Sequence, residues 1–383
     1  MGTEADRRRG GRPLKVLELG TQFGVGGITR HIRLLSDWLG ARGHEVTLGG
    51  TPDVWGGPDG DEGFLVLPTR YVAADGGNPA ARLRHLAAAA WRLRRWLKRH
   101  RPDLIHAHES APALVADLAR RGLGIPLAVT YHGSEPARVA AFARIARRAD
   151  LVLTPSWHSG EDLVRRGGLS RGKLRVLGLG VPPAPAADPA AVAALRALLL
   201  GDGGRLIVTV ARLVPQKGID ILLDVAEALG PRRPGYRFVI VGDGPDEARL
   251  RQSAESRGLS GRVAFAGRSA TPHLFLRAAD LFLLTSRWEA LPFTIVEAFQ
   301  SGTPAVATAC SGVVELIDGT VGATPPVGDV TSIAGAVEEI LEDERRRAGM
   351  AAAALARSRE DRFDLDRVHT RFEETYRALA AGR

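Results

Sequence analysis

Short apolar runs that end in polar residues recur along the first half of the chain. They lie at residues 14–19, 45–48, 102–109, 127–135 and 151–156. Brief runs of this kind, bounded by turn residues, are typical of strands that are buried on both faces of a parallel sheet. Because the carboxyl ends of parallel strands meet at one edge, we expect the polar residues at the ends of these runs to line one crevice.

The second half repeats the pattern after a proline-rich stretch at residues 181–185, which we interpret as a linker. Its apolar runs lie at residues 205–210, 238–241, 263–266, 281–284 and 304–308. Alternating strands and helices predict the α/β class, with two doubly wound domains that face each other across a cleft. We expect a disordered tail at 1–13, domains at 14–183 and 184–364, and a final helix at 365–380 that crosses back to the first domain.

The composition indicates a folded protein without disulfides. The chain has 383 residues, of which 45% are hydrophobic, and this is enough for two cores. The single cysteine, Cys310, excludes a disulfide framework and a thiolate metal cluster. No early apolar run is long enough for a signal peptide or a membrane span, so we expect a cytoplasmic protein.

Basic residues dominate the charge, and many of them fall at residues 82–101. The net charge is +9, and arginine carries most of it. Leucine and tryptophan alternate with the basic residues at helical spacing, which predicts an amphipathic, basic helix. Two interpretations stay open: the helix covers a sheet with a solvated basic face, or it contacts the inner membrane surface or an anionic acceptor. Nucleic acid is not expected, because no known motif accompanies the charge.

Two carboxylates, Glu289 and Glu297, lie between the runs at 281–284 and 304–308. Pro292 suits the first turn of a short helix between these runs, and Gly302 suits the residue just past its end. Glu289 would then stand in the loop before a helix N-terminus, where backbone N–H groups favour anions. Carboxylates beside an anion site suit a ligand with both hydroxyls and phosphates, although each glutamate alone is more typical of a solvated surface.

A loop after the run at 205–210 carries Arg212 and Lys217. Two cations at a strand end would neutralise a diphosphate, although each alone is more typical of an ordinary surface. Gly242 and Gly244 follow the next strand and would allow a base or a sugar to approach the backbone. Arg268, at the end of a further strand, would meet the base.

A glycine-rich turn at residues 24–27 joins the first strand to a helix. Such a turn lets the backbone approach a phosphate or a sugar, but a dinucleotide site would also need an acidic residue at the end of the second strand. Gly49 and Gly50 stand there instead, which disfavours a dehydrogenase. No residues have metal-ligand spacing and no phosphate-loop or hydrolase motif is present, so we expect no bound metal.

Together these residues resemble the GT-B glycosyltransferases of the large retaining family 4, over residues 14–376. The most specific match is the E-x7-E pair of Glu289 and Glu297, within the sequence SRWEALP. Further matches in the same order are GGxxxH at 26–31, PDLIHAH at 102–108, YHG at 131–133, ARL and KG within 211–218, and VGDGP at 241–245. Family members often have paired glycines where this chain has SGVVE at 311–315.

The resemblance implies two Rossmann-like domains and transfer from a nucleotide-diphosphate sugar, with retention and without an obligatory metal or cofactor. The catalytic residues that it implies are His132 and Glu289. The donor-binding residues are Gly26, Gly27, Arg212, Lys217, Gly242, Gly244, Arg268, Ala290, Leu291 and Glu297. The acceptor-side residues are His31, His108 and Glu109. The leaving phosphate itself would take the acceptor's proton in a front-face reaction.

The expected reaction moves a hexose-type sugar, with UDP as the commonest carrier in the family, to a hydroxyl of a natural product or an envelope glycoconjugate. Acceptor loops are expected at 23–27, 54–63, 70–79 and 108–113, which contain no recognisable code for the acceptor. The alternatives are a sugar-nucleotide epimerase of the same fold and a non-catalytic sugar-nucleotide-binding protein. Donor turnover without an acceptor would distinguish the epimerase.

Overall fold

The computed structural model describes residues 12–24, 26–52, 63–73, 78–201 and 203–382. The tail expected at 1–13, apart from Arg12 and Pro13, lies outside the described residues, as does most of the expected acceptor loop at 54–63. Within the described residues, alternating strands and helices build two parallel sheets. The prediction of two doubly wound α/β domains is therefore confirmed.

The first domain is built on a parallel sheet with the strand order β3-β2-β1-β4-β5-β6-β7. In chain order its strands are β1 Lys15–Phe23, β2 Glu45–Pro52, β3 Leu65–Val66, β4 Leu104–His108, β5 Leu127–Thr130, β6 Leu151–Thr154 and β7 Leu174–Val176. Every residue of β4 and β5 is buried, as expected for strands with helices on both faces. Strands β3 and β7 were not predicted, because two or three residues are too few to show a pattern.

Helices cover this sheet on both faces. They are α1 Gly27–Ala41, α2 Thr69–Ala73, α3 Pro79–His100, α4 Ser110–Arg120, α5 Val139–Ala146 and α6 Trp157–Arg165. The predicted basic helix is α3, which begins three residues earlier than expected because Asn78 caps it and Pro79 suits its first turn. Leu93 and Leu97 of α3 are buried against the sheet, whereas Leu83 and Trp91 are exposed. No helix in the described part of the chain is both long and apolar enough to cross a membrane.

The second domain is built on a sheet with the strand order β10-β9-β8-β11-β12-β13. Its strands are β8 Arg205–Val210, β9 Tyr236–Val241, β10 Val263–Gly267, β11 Leu281–Leu284, β12 Ala305–Ala307 and β13 Gly322–Ala323. Its helices are α7 Pro189–Leu200, α8 Ile219–Leu229, α9 Glu247–Ser256, α10 Pro272–Ala278, α11 Phe293–Gln300, α12 Val330–Glu342 and α13 Glu344–Arg357. The helix predicted between β11 and β12 is α11, and Gly302 lies just past its end with φ +71°.

The last helix, α14 Leu365–Ala381, lies against the first sheet. Val368, Phe372 and Tyr376 recur every fourth residue, so they share one face, and all three are buried with residues of β1 and α1. At the start of the helix, Nε1 of Trp38 in α1 donates to Oδ1 of Asp366 at 2.7 Å. The first domain therefore includes a layer that the chain adds after the second domain.

Both sheets reverse their strand order once, between β1 and β4 in the first and between β8 and β11 in the second. At such a reversal the loops that leave neighbouring strands separate, and their divergence opens a crevice at the carboxyl ends. The loops after β1 and β4 carry Gly26 and Glu109, and those after β8 and β11 carry Arg212 and Glu289. The strand order thus brings the predicted residues of the two domains to one place.

Candidate functional site

A cavity of about 970 Å³ lies between the carboxyl ends of the two sheets. Among the described residues, its lining includes the predicted residues Gly26, Gly27, Glu109, His132, Arg212, Lys217, Gly242, Arg268, Glu289, Ala290 and Leu291. The predicted residues that do not line it are His31, His108, Gly244 and Glu297. The volume is typical of a ligand site, and both domains contribute to its walls.

The two predicted diphosphate-binding cations differ in their surroundings. Arg212 is exposed to the cavity, and its guanidinium makes no hydrogen bond or ion pair with the described residues. Lys217 ends a short 3-10 turn just before α8, and its ammonium pairs with Oε1 of Glu289. Arg212 is therefore available for an anion as it stands, whereas Lys217 would exchange a carboxylate for a phosphate.

Glu289 is held in the loop between β11 and α11. The hydroxyl of Ser286 donates to Oε1 of Glu289 at 2.7 Å, and the same oxygen receives the Lys217 ammonium. Only 8% of Glu289 is exposed. These two bonds fix the carboxylate at the cavity wall, so a bound sugar would meet an oriented acceptor and not a flexible surface glutamate.

Glu297 lies on α11, outside the cavity lining, and pairs with a residue of the first domain. The guanidinium of Arg30 on α1 binds Oε1 of Glu297 and also lies 4.9 Å from the ring centre of Phe293. Sequence reasoning missed Arg30, because nothing in the local pattern of α1 shows a partner 267 positions away. The predicted contact of Glu297 with ribose would have to share this carboxylate with Arg30.

Gly242 and Gly244 are required by the packing of their own domain. A β-carbon on Gly242 would lie 1.9 Å from the carbonyl oxygen of Ala211, and one on Gly244 would lie 2.4 Å from that of Leu213. The loop after β9 thus packs directly on the loop that carries Arg212. Gly242 still lines the cavity, whereas the position of Gly244 is explained by this backbone contact alone.

Glu109 and His132 form the first-domain wall of the cavity. The backbone N–H of His132 donates to Oε1 of Glu109 at 2.9 Å. Glu109 has φ +73°, a backbone conformation that non-glycine residues rarely adopt and that is found most often at functional sites. Burial raises the pKa of the Glu109 carboxyl to about 7, and the hydrogen bond from His132 opposes this shift only in part.

Two predicted acceptor-side residues, His31 and His108, lie behind this wall. The rings of His31 and His132 are 5.3 Å apart, and those of His108 and His132 are 5.2 Å apart. One nitrogen from each of the three lies within 4.8 Å of the others, a separation at which they could share a metal ion. The cluster has no sequence signature, because α1, β4 and the loop after β5 each contribute one residue.

The backbones of the two domains are in close contact beside His132. Gly133 has φ +85°, and a β-carbon on it would lie 2.7 Å from the backbone nitrogen of Ala290. Residues of the unusual segment 311–315 also cross between domains: the hydroxyl of Ser311 donates to Asp162, and Glu315 accepts from the backbone of His158 at 3.1 Å. The departure from the paired glycines thus supplies contacts between the domains.

Comparison with known families accounts for both domains. The family described as Glycosyltransferase Family 4 matches residues 25–184, and that described as Glycosyl transferases group 1 matches residues 194–357. A 2-deoxystreptamine N-acetyl-D-glucosaminyltransferase of Streptomyces fradiae is 31% identical over 323 residues, 78% of this chain and 75% of the relative. A phosphatidyl-myo-inositol mannosyltransferase of Mycolicibacterium smegmatis is 29% identical over 372 residues, 93% of this chain and 91% of the relative.

Solved structures share the fold at lower identity. The sucrose-phosphate synthase of Thermosynechococcus elongatus superposes with a TM-score of 0.81 at 20% identity, covering 97% of this chain and all of that one. Anabaena HepE in complex with UDP-glucose gives 0.78 at 23% identity, over 95% of this chain and 100% of its own. On these matches and on its two facing sheets, the chain belongs to the GT-B glycosyltransferases of family 4, the glycosyl transferases group 1.

Proposed function

We propose that this glycosyltransferase moves a hexose-type sugar from a UDP-sugar to a hydroxyl of its acceptor, with retention of configuration. In this reaction the bond between the anomeric carbon and the diphosphate breaks, and a bond to the acceptor oxygen forms on the same face. The acceptor's proton passes to an oxygen of the leaving phosphate. The two alternatives, epimerase and non-catalytic binding protein, are not favoured, since the Streptomyces fradiae and Mycolicibacterium smegmatis relatives are both named as transferases.

The observation that carries the proposal is the pairing state of the two cations on one loop. The Arg212 guanidinium has no partner among the described residues, and Lys217 lies next to Gly218, the N-cap of α8. A diphosphate that leaves a sugar gains negative charge, and fixed cations beside a helix N-terminus stabilise that charge as it develops. Glu289 on the opposite side of Lys217 would then accept hydrogen bonds from the sugar.

His132 and Glu109 complete the site from the acceptor side. Both line the cavity, and the His132 backbone orients the Glu109 carboxylate. We propose that His132 contacts the donor sugar near the anomeric carbon and that Glu109 binds the incoming hydroxyl. The hydrogen bond from His132 to Glu109 would link the placement of the two substrates, because neither residue can shift without the other.

The names of the relatives and the surface of α3 suggest two classes of acceptor, a small soluble one and a lipid-linked one. The names of the relatives specify an aminocyclitol in one case and a phosphatidyl-myo-inositol in the other. Leu83 and Trp91 of α3 are 67% and 58% exposed, and the Arg95 guanidinium lies 4.7 Å from the Trp91 ring centre. This surface would suit the periphery of an anionic membrane, and sedimentation with anionic against neutral vesicles tests that contact.

The donor assignment is tested with purified protein and a panel of UDP- and GDP-sugars. Thermal shift identifies the donor that stabilises the protein, and mass spectrometry with soluble and lipid-linked acceptors identifies the product. The anomeric configuration of the product, read by NMR, tests retention, and activity that persists with EDTA tests the absence of a required metal. Donor conversion without any acceptor would instead support an epimerase, and donor binding without conversion a binding protein.

Lys217→Ala should weaken donor turnover by about tenfold or more, which corresponds to about 1.4 kcal/mol of lost stabilisation. Lys15→Ala is the matched control, because it removes the same charge far from the cavity. Lys15 is the first residue of β1, at the end of the strand away from the cavity, and pairs with exposed Glu45. Near-normal turnover in Lys217→Ala would contradict the placement of the diphosphate.

A further inference from the structure

A line of hydrogen bonds runs from the interior of the first domain to the cavity wall. Glu18 in β1 and His108 in β4 are both fully buried, and Nε2 of His108 lies 2.8 Å from Oε2 of Glu18. The other nitrogen of the same ring, Nδ1, lies 2.9 Å from Nε2 of His132. The line is made possible by the strand order, because β1, β4 and β5 are neighbours in the sheet.

The inner end of this line is a carboxylate with no proton to give. Burial alone would raise the pKa of Glu18, but the electrostatic attraction and hydrogen bonds of the His106 and His108 rings outweigh it and hold the pKa below its usual range. Nδ1 of His106 lies 2.9 Å from Oε2, and the Tyr376 hydroxyl lies 2.8 Å from Oε1 and 2.5 Å from Nδ1 of His106. An ionised carboxylate can only accept hydrogen bonds, so the Nε2 atom of His108 must be the donor.

The donors and acceptors further along then follow one by one. Burial lowers the pKa of His108 to about 4, so the neutral ring carries one proton and places it on Nε2. Its Nδ1 is therefore an acceptor and must receive the proton of Nε2 of His132. Burial also lowers the pKa of His132 well below its usual value, so that ring has no second proton and its Nδ1 carries a lone pair.

We propose that Glu18 is a positioning residue that, through His108, fixes His132 in the tautomer with its proton on Nε2. The His132 ring lines the cavity, and its Nδ1 makes no hydrogen bond with the described residues. A hydroxyl in the cavity would therefore find an acceptor on this ring and not a donor. The identification of this hydroxyl as one of the donor sugar rests on the proposed function. The tautomer of His132 is independent of that function.

His31 packs against both rings of the line and restricts their rotation. Its ring centre lies 5.6 Å from that of His108 and 5.3 Å from that of His132. Neither His31 nitrogen has a hydrogen-bond partner among the described residues, and both are buried. His31 thus supplies no competing donor or acceptor within hydrogen-bond range, and the polarity of the line is set by Glu18 alone.

The tautomers are measured directly by NMR of full-length protein labelled with ¹⁵N at histidine. Two-bond proton–nitrogen correlations distinguish a protonated ring nitrogen from a free one, and His132→Gln identifies the His132 signals by their loss. The expected result for the natural chain is a proton on Nε2 of both His108 and His132. A proton on Nδ1 of His132 would overturn the proposal without any substitution.

Glu18→Leu tests the cause, because it removes the acceptor for Nε2 of His108 and leaves a side chain of similar size. Without that acceptor neither tautomer is imposed, so we expect both tautomers of His132 to be populated. We also expect a fall in kcat for the donor of about tenfold or more. Tyr376→Phe is the matched control, because it removes one bond to Glu18 yet leaves the Glu18–His108 bond, so the His132 tautomer should not change.

Three further outcomes would contradict the proposal. The first is a His132 ring in Glu18→Leu that still carries its proton on Nε2 alone. The second is a mixture of His132 tautomers in Glu18→Leu with unchanged kcat. The third is stoichiometric zinc that remains bound to the purified protein and leaves both His108 Nδ1 and His132 Nε2 unprotonated, because a metal would then replace the hydrogen bond. If no sugar nucleotide binds but the tautomers are as expected, the proposed function fails and the role of Glu18 stands.

Discussion

Gly133→Ala should separate the two domains where Gly133 packs on the backbone of Glu289 and Ala290. Gly133 has φ +85°, and an alanine β-carbon would lie 2.7 Å from the nitrogen of Ala290 and 3.0 Å from the carbonyl carbon of Glu289. Atoms in contact prefer about 3.5 Å, so the loop that holds Glu289 would have to retreat by roughly 0.8 Å. The backbone conformation itself costs an alanine about 1 kcal/mol.

Gly43→Ala provides the matched control. Gly43 has φ +87°, nearly the same conformation, but a β-carbon there meets nothing within 4 Å. It lies between α1 and β2, away from the cavity. The difference between the two variants therefore isolates the contact between His132-Gly133 and the Glu289 loop from the shared backbone strain.

The magnitude depends on whether the domains can move. If they stay in place, overpacking adds about 1–3 kcal/mol to the loss in Gly133→Ala. If they move apart, the stability loss should match that of Gly43→Ala, but the displaced Glu289 should lower kcat by about 100-fold. Urea unfolding measures the loss of stability, and donor turnover measures the loss of kcat. If Gly133→Ala matches Gly43→Ala in both measurements, the close contact between the domains at Gly133 is refuted.

Two further predictions concern charges at the cleft. Native Glu109 keeps a proton up to about pH 7 that the unfolded chain, with the ordinary value of 4.5, has already released. The free energy of unfolding should therefore fall as pH rises through this window. Glu109→Gln should gain about 1–2 kcal/mol of stability over the natural chain between pH 5 and pH 8. A stability difference between the two proteins that does not change with pH would contradict this. Arg30→Gln and Glu297→Gln should couple by about 0.5–1 kcal/mol in a double-mutant cycle of urea unfolding, since Arg30 joins the domains through Glu297 but solvent screens its 41% exposed side chain; additive effects would show that the pair contributes nothing.

The sequence was sufficient for the sheets but not for the pairings inside the site. Apolar runs ending in polar residues predicted the strands that place His108, His132 and Arg212, because buried parallel strands have a strong local signal. Which cation is paired depends on three-dimensional contacts, and the Lys217–Glu289 ion pair joins residues 72 positions apart. The domain limits and the roles of the site residues stay predictions.

Glu18 shows why the interior of the site could not be predicted. A glutamate inside the apolar run at 14–19 is a weak signal, since it indicates a buried charge without naming its partners. The helix predicted at 365–380 contains Tyr376, but nothing in its pattern indicates that the buried hydroxyl binds Glu18. Only the finished fold brings these two residues together.

The bond between Tyr376 and Glu18 has a consequence for how the protein is made. The two residues are 358 positions apart, so the ribosome adds the phenol long after the strand with the carboxylate has emerged. Until then the first sheet lacks both its outer helix and one donor to a buried charge, and the incomplete half exposes apolar surface. The first domain to be synthesised is therefore completed only after the second domain has been translated.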